Sequence, residues 1–258
     1  MITSNQNSKI KLVRALLGRA KERREANAFV VEGVRLMEEA VKSNWGFQFA
    51  LYDETLNERG KSEVESLRLR GVDIEMVSPD LIKSLSETET PQGILAVLDI
   101  KQLPITNSPD FLLIPDQIRD PGNLGTLLRT AAAAGVRAVL LTPETTDVFA
   151  PKVVRAGMGA HFRLPIHSMD WDEIKAITKG LQVYLADMDG QSCWETDLRQ
   201  PLALIVGSES AGASDEAQNL ATKKMSIPMF GNVESLNAAV AGSVLMFEVV
   251  RQRYNENR

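Results

Sequence analysis

Cysteine, histidine and long apolar runs are all scarce in this chain. Cys193 is the single cysteine, which excludes an internal disulfide and any cysteine cluster for zinc. It reads as an inert thiol. The two histidines, His161 and His167, lack the spacing of a metal motif, so no metal is expected. No stretch approaches the roughly 18 uninterrupted apolar residues of a membrane helix. The opening Met1-Ile2-Thr3-Ser4-Asn5 lacks the apolar region of a signal peptide. The expectation is a cytoplasmic protein without a membrane partner. Positive charge is not in excess either: 29 Lys and Arg stand against 34 Asp and Glu, a net charge of −5, which argues against indiscriminate phosphate binding.

What is present is a globular composition, 44% apolar and 24% charged, in 258 residues, enough for two ordinary domains with buried cores. Basic charge is concentrated at one place. Lys9, Lys11, Arg14, Arg19, Lys21, Arg23 and Arg24 face a single acid, Glu22. Leu12, Val13, Leu16, Leu17 and Ala20 recur there at helical spacing, so a basic amphipathic helix is expected over residues 9–24, with Lys11, Arg14 and Lys21 on its solvated face. Strand and helix patterns then alternate: strands at 29–31, 47–52, 73–77 and 93–98, helices at 34–41 and 63–69. Residues 103–110 hold Pro104 and Pro109 with Thr106, Asn107 and Ser108 between them, a composition that favours an extended connection. The domains are therefore expected at 1–104 and 105–258. The second again alternates, with strands near 111–115, 138–142, 164–166, 183–186, 202–206 and 225–228. Its helices are expected near 124–134, 171–179, 215–221 and 234–253, with a loop or helix at 147–157. Alternation of this kind implies an α/β fold with a mostly parallel sheet.

The familiar nucleotide motifs fail in turn. Residues 207–214 nearly match a phosphate-binding loop, but Ala213 stands where that loop needs lysine, and Glu209 would set negative charge beside the phosphates. No G-x-G-x-x-G follows a strand. Three segments remain that packing alone does not account for. In residues 116–131 a polar loop leaves a strand and Pro-Gly-Asn feeds a helix; Asn123 suits its cap, and Arg129 lies off the apolar face. Residues 207–214 end a strand with a ligand-binding edge whose chemical handle is Glu209. In residues 227–241 Ser235-Leu236-Asn237 opens an apolar helix, where Ser235 and Asn237 read either as caps or as site residues.

Together and in this order, the three segments resemble the three signature motifs of the SpoU/TrmH family of RNA ribose 2′-O-methyltransferases, within the SPOUT superfamily, over roughly residues 111–254. Residues 7–98, with the run 29–35 and Thr90-Pro91-Gln92-Gly93, look like the small α/β RNA substrate-binding domain often fused ahead of it. The resemblance implies a parallel sheet ending in a C-terminal trefoil knot and a homodimer formed through it. The apolar run 238–247 independently asks for a second packing partner. It implies S-adenosylmethionine as cofactor, held near Gly207, Ile227, Met229 and Leu236, and an RNA substrate, ribosomal in preference to transfer RNA. The family pattern maps onto Asn123, Arg129, Glu209, Ser235 and Asn237, all of which match; Ser208 and Ser210 replace the usual Gly or Asn beside the glutamate. By this mapping Glu209 positions Arg129 or the ribose, Asn123 and Asn237 order the loops, and Ser235 contacts substrate or cofactor. Lys11, Arg14 and Lys21 become the expected RNA contacts. A non-catalytic RNA-binding or ribosome-assembly protein with the same fold is the alternative reading.

Overall fold

The computed structural model describes residues 1–209, 212–231 and 235–256, without the side chains of residues 255 and 256. The chain begins α1 (Ser8–Gly18), α2 (Ala20–Ala26), β1 (Ala28–Glu32), α3 (Val34–Lys42), β2 (Phe47–Tyr52), α4 (Glu58–Leu69), β3 (Ile74–Met76), α5 (Pro79–Leu85) and β4 (Ile94–Asp99). It continues β5 (Phe111–Pro115), α6 (Pro121–Ala133), β6 (Ala138–Leu141), α7 (Pro151–Gly157), β7 (Ile166–Ser168) and α8 (Trp171–Ile177). It ends β8 (Gln182–Ser192), β9 (Leu202–Val206), α9 (Asp215–Leu220), β10 (Lys223–Ser226) and α10 (Ala238–Glu256). Two compact units result: Met1–Lys101 with Asp147–Phe162, and Gln102–Thr146 with Arg163–Arg258.

The first unit is built on a four-stranded sheet of order β1-β4-β2-β3, antiparallel except for the β2–β3 pair. Its strands are apolar on both faces. Phe29, Val31, Ile94, Ala96 and Leu98 meet α3 and α4 on one side, while Val30, Leu95 and Val97 meet Ile10, Val13, Leu16 and Ile82 of α1 and α5 on the other. Residues 147–162, read in the sequence as part of the carboxy-terminal half, cluster instead with this unit. Phe149 and Phe162 stack around Phe29, at 4.9 and 6.5 Å between ring centroids, and Val154 enters the same core. The expected single basic helix is two. Arg19 is extended (φ −136°, ψ 132°), and Gly18 before it is a weak helix former. The break turns Arg23 inward, where it donates to the Leu16 carbonyl and to Asp147. Helix α5 had no counterpart in the sequence reading, although Ser78-Pro79-Asp80 ahead of Leu81, Ile82 and Leu85 is a helix-start signal.

The second unit is a six-stranded sheet of order β10-β8-β9-β5-β6-β7, parallel at every pairing. One face buries Leu112, Ile114, Leu140 and Ile205 against α8 and α9. The other carries α6 and α10, which approach closely at Gly242: a Cβ there would lie 2.6 Å from Leu127 Cδ2 and 3.1 Å from Val206 Cγ2. Strand β8 runs far past the expected 183–186, because after a register shift its outer half pairs Gln191 and Ser192 with Met225 and Ser226 of β10. Helix α10 starts at Ala238; the expected start at Glu234 lies outside the described residues. Among the described residues no helix is long and apolar enough to cross a membrane.

Candidate active site

The three motifs arrive at one place on three different elements of the second unit. The first arrives on α6. Its cap is Asp120, whose Oδ1 accepts from the Asn123 backbone N–H at 2.8 Å, with Pro121 supplying the fixed φ of the first helical position. Asn123, expected as the cap, sits inside the first turn. Its side chain is thereby released to donate from Nδ2 to Glu209 Oε1 at 3.1 Å. The second arrives on the loop after β9, closed by reciprocal backbone hydrogen bonds between Ser208 and Gly212 of 2.9 and 3.0 Å. The third arrives at the start of α10. There Asn237 Oδ1 accepts from the Ala239 and Val240 N–H groups at 3.0 and 3.1 Å, a true helix cap.

Asn237 does both jobs that the sequence left open. While Oδ1 caps the helix, Nδ2 donates to Asn123 Oδ1 at 3.0 Å and to Glu209 Oε1. The Ala238 N–H adds a further bond to the same glutamate oxygen at 3.1 Å. A carboxylate at the first turn of α10 is also favoured by the partial positive charge of a helix N-terminus. Glu209 thus ties the three motifs together; of its two expected roles, positioning Arg129 or the ribose, the first has no direct bond among the described residues. Arg129 is exposed on α6, and among the described residues it has no hydrogen-bond or ion-pair partner.

Beside this cluster lies a cavity of about 410 Å³ at the carboxyl ends of β9 and β10. Gly207, Ile227, Met229 and Leu236 all line it, as do Glu209 and Ser235. Val206, Met225 and Leu245 make its floor apolar. The size falls within the ~300–1,000 Å³ of small-molecule sites, and the position is where open parallel sheets bind nucleotides. Apolar walls of this size suit an adenosine moiety. Asn123, Arg129 and Asn237 are not among the lining residues; the first and last form the adjoining wall through Glu209. Cys193 is buried and is not among the lining residues, and burial pushes its thiol pKa up.

The basic residues of the first unit separate by role. Lys9 is held by Asp73 and Glu75, and Arg23 is buried against Asp147. Arg14 donates to Asn5 at 2.7 Å and to Ser84 at 3.1 Å, while Lys21 stands 3.6 Å from Glu25; both side chains remain exposed. Lys11, Arg19 and Arg24 are exposed and have no partner among the described residues.

A parallel sheet, a cofactor-sized cavity at its strand ends and a polar cluster at the rim fit an S-adenosylmethionine-dependent methyltransferase, the class that the three motifs resemble. Comparison with known proteins makes it one that acts on RNA. Residues 110–247 match the SpoU rRNA Methylase family, and residues 7–96 match the MRM3-like substrate binding domain. The chain is 38% identical to the 23S rRNA (guanosine(2553)-2′-O)-methyltransferase RlmP of Bacillus subtilis, over 96% of this chain and 98% of that protein. It is 33% identical to the 23S rRNA (uridine(2479)-2′-O)-methyltransferase of Streptomyces viridochromogenes, over 97% of this chain and 92% of that one. Among solved structures, the SpoU methyltransferase AviRb of Streptomyces viridochromogenes in complex with the cofactor AdoMet aligns with a TM-score of 0.84 at 30% identity, over 96% of this chain and all of that chain. The rRNA methyltransferase from Sinorhizobium meliloti aligns at 0.86 and 29% identity, over 97% and 96%. The chain belongs to the SpoU rRNA methylase family.

Proposed function

We propose that this protein methylates a ribose 2′-hydroxyl of large-subunit ribosomal RNA, with the second unit performing the chemistry and the first holding the RNA. The observation that carries the reading is the convergence of Asn123, Glu209 and Asn237 at the rim of the cavity lined by Gly207, Ile227, Met229 and Leu236. The relatives whose names specify 23S rRNA, covering nearly the whole chain, support ribosomal over transfer RNA.

S-adenosylmethionine, when bound, supplies an activated methyl group and its own leaving group, so no metal is required. The protein must align the hydroxyl with it and exclude water. Gly207, Ile227, Met229 and Leu236 hold the cofactor through their backbones, and Ser235 at the exposed rim contacts cofactor or substrate. Glu209, bridging Asn123 and Asn237, keeps the three loops in register instead of touching Arg129. Arg129 binds the phosphate next to the target ribose. A guanidinium presents a planar fork of donors and no acceptor, so Arg129 orients the hydroxyl and is not a simple base. Lys11, Arg14 and Lys21 contact RNA phosphates in the first unit. The chain past β10 forms the trefoil knot characteristic of the family. Val240, Val244 and Phe247, 47%, 41% and 50% exposed along one stripe of α10, are buried by a second copy in a homodimer.

The test is transfer of labelled methyl from S-adenosylmethionine to unmodified ribosomal RNA by the native chain and by Arg129→Ala, with 2′-O-methylation mapped on the product. Incorporation into large-subunit RNA that falls by at least a hundredfold in the variant is expected. Incorporation only into transfer RNA, or equal in the two chains, would overturn the reading.

A further inference from the structure

Asp116, the first residue after β5, has a fully buried side chain that none of the roles above uses. A carboxyl group is costly to bury unless its oxygens are hydrogen-bonded, and both oxygens of Asp116 are. Oδ2 accepts the Ser214 backbone N–H at 2.7 Å, and Oδ1 accepts the Thr142 hydroxyl at 3.1 Å. The backbone adds a third link, Asp116 N–H to the Val206 carbonyl at 2.8 Å. Each partner matters by its place. Ser214 is where the Glu209 loop rejoins regular structure, its hydroxyl capping α9 by accepting from Ala217 N–H at 3.2 Å. Val206 is where that loop begins. Thr142, at the end of β6, also accepts the Gln117 N–H at 3.1 Å and so holds the first-motif strand exit.

The described residues on either side of this loop are tied to each other. Ser208 and Gly212 exchange backbone bonds across its neck, and Gly207 admits no side chain, because a Cβ there would lie 2.7 Å from the Gly212 carbonyl oxygen. The tether at Ser214 therefore sets where Gly212 and Ala213 face the cavity and, through the Ser208–Gly212 pair, where Glu209 meets Asn123 and Asn237.

We propose that Asp116 is a positioning residue for the methyl-transfer site: its carboxylate, bridging the Ser214 N–H and the Thr142 hydroxyl, fixes where Gly212 and Ala213 meet the cofactor. This rests on the reading of the cavity as the S-adenosylmethionine site. The bridge needs two polar atoms at the right spacing, not a negative charge. Asparagine can supply both, its carbonyl accepting from Ser214 and its amide donating to the Thr142 oxygen.

The test measures S-adenosylmethionine affinity by titration calorimetry and backbone exchange of residues 212–217 by mass spectrometry, on the full chain and on Asp116→Ala, Asp116→Asn and Thr142→Val. Asp116→Ala is expected to weaken cofactor binding at least tenfold and to speed exchange of 212–217. Asp116→Asn should stay within threefold of native in affinity with native-like exchange, and Thr142→Val should fall between. Native affinity and exchange in Asp116→Ala would overturn the proposal, as would an Asp116→Asn as impaired as alanine. Should Asp116→Ala not fold, Thr142→Val decides: faster exchange with weaker binding supports the bridge, and no change in either refutes it. Failure of the native chain to bind the cofactor would sink the cavity reading alone. Asp116 is then judged on exchange, faster in Asp116→Ala if it holds the loop and unchanged if it does not.

Discussion

Arg23 and Lys11 belong to the same basic run, yet their replacement by alanine is expected to give opposite results. Arg23 has a side chain only 6% exposed, with Nε and one terminal nitrogen on Asp147 Oδ2 at 2.7 and 2.6 Å and the other terminal nitrogen on the Leu16 carbonyl. Removing one partner of a buried ion pair costs ~3–5 kcal/mol, largely from the charge left behind. The Asp147 side chain is 27% exposed, so water takes over part of its solvation and the low end, about 3 kcal/mol, applies. For a domain of this size that corresponds to roughly 10 °C in melting temperature. Calorimetry should therefore show the first unit of Arg23→Ala melting about 10 °C early, while the slope of log affinity against log salt for RNA stays unchanged. Lys11→Ala should leave the melting temperature alone and reduce that slope by about one contact. An Arg23→Ala chain that melts within about 2 °C of native and loses a unit of salt slope would refute the reasoning, for the guanidinium would then face phosphate and not the core.

Glu209→Ala removes the acceptor for Asn123, Asn237 and the Ala238 N–H. At roughly 1 kcal/mol for each of the three bonds, about 3 kcal/mol together, methyl transfer should fall about 100- to 200-fold, while Glu209→Gln, which keeps an acceptor oxygen, should lose under about tenfold. His161 is buried, with Nε2 on the Val148 carbonyl at 2.8 Å and Nδ1 unpartnered, and burial pushes its pKa down from 6.5 to about 4. The unfolded chain thus binds the proton first as pH falls, so stability is full above pH ~6.5 and declines between there and pH ~4, by roughly 3 kcal/mol in all. Urea midpoints measured across that window should show the decline, and His161→Leu should flatten it; an equal slope in both chains would refute the assignment to His161. Phe247→Asp places a charge on the exposed stripe of α10 and should shift the sedimentation of the chain from dimer to monomer; a native profile would move the interface elsewhere.

The residues of the site were legible because their order along the chain is preserved in their chemistry: Asn123, Glu209 and Asn237 each follow a strand signal and each meet at Glu209 Oε1. Periodicity carried the sheet equally well, since strands buried on both faces, such as Phe111–Pro115 and Leu202–Val206, read as unbroken apolar runs. What pattern could not supply is the choice among local competitors. Asp120 and Asn123 are both good caps, and Asp120 takes the position because Pro121 fits only the residue that follows a cap. Seven basic residues in sixteen positions read as one helical surface, and only the break at Arg19 shows that Arg23 belongs to the core. The return of residues 147–162 to the first unit is carried by three apolar side chains, Phe149, Val154 and Phe162, and the two rings pack on Phe29, more than a hundred residues away. Asp116 is the same problem in polar form. On the page of the sequence it is one more acid in a loop, and its partners at Thr142 and Ser214 are 26 and 98 residues distant. The chemistry of such a family is written in short motifs, whereas the distances that make those motifs work are set by buried groups that no motif contains.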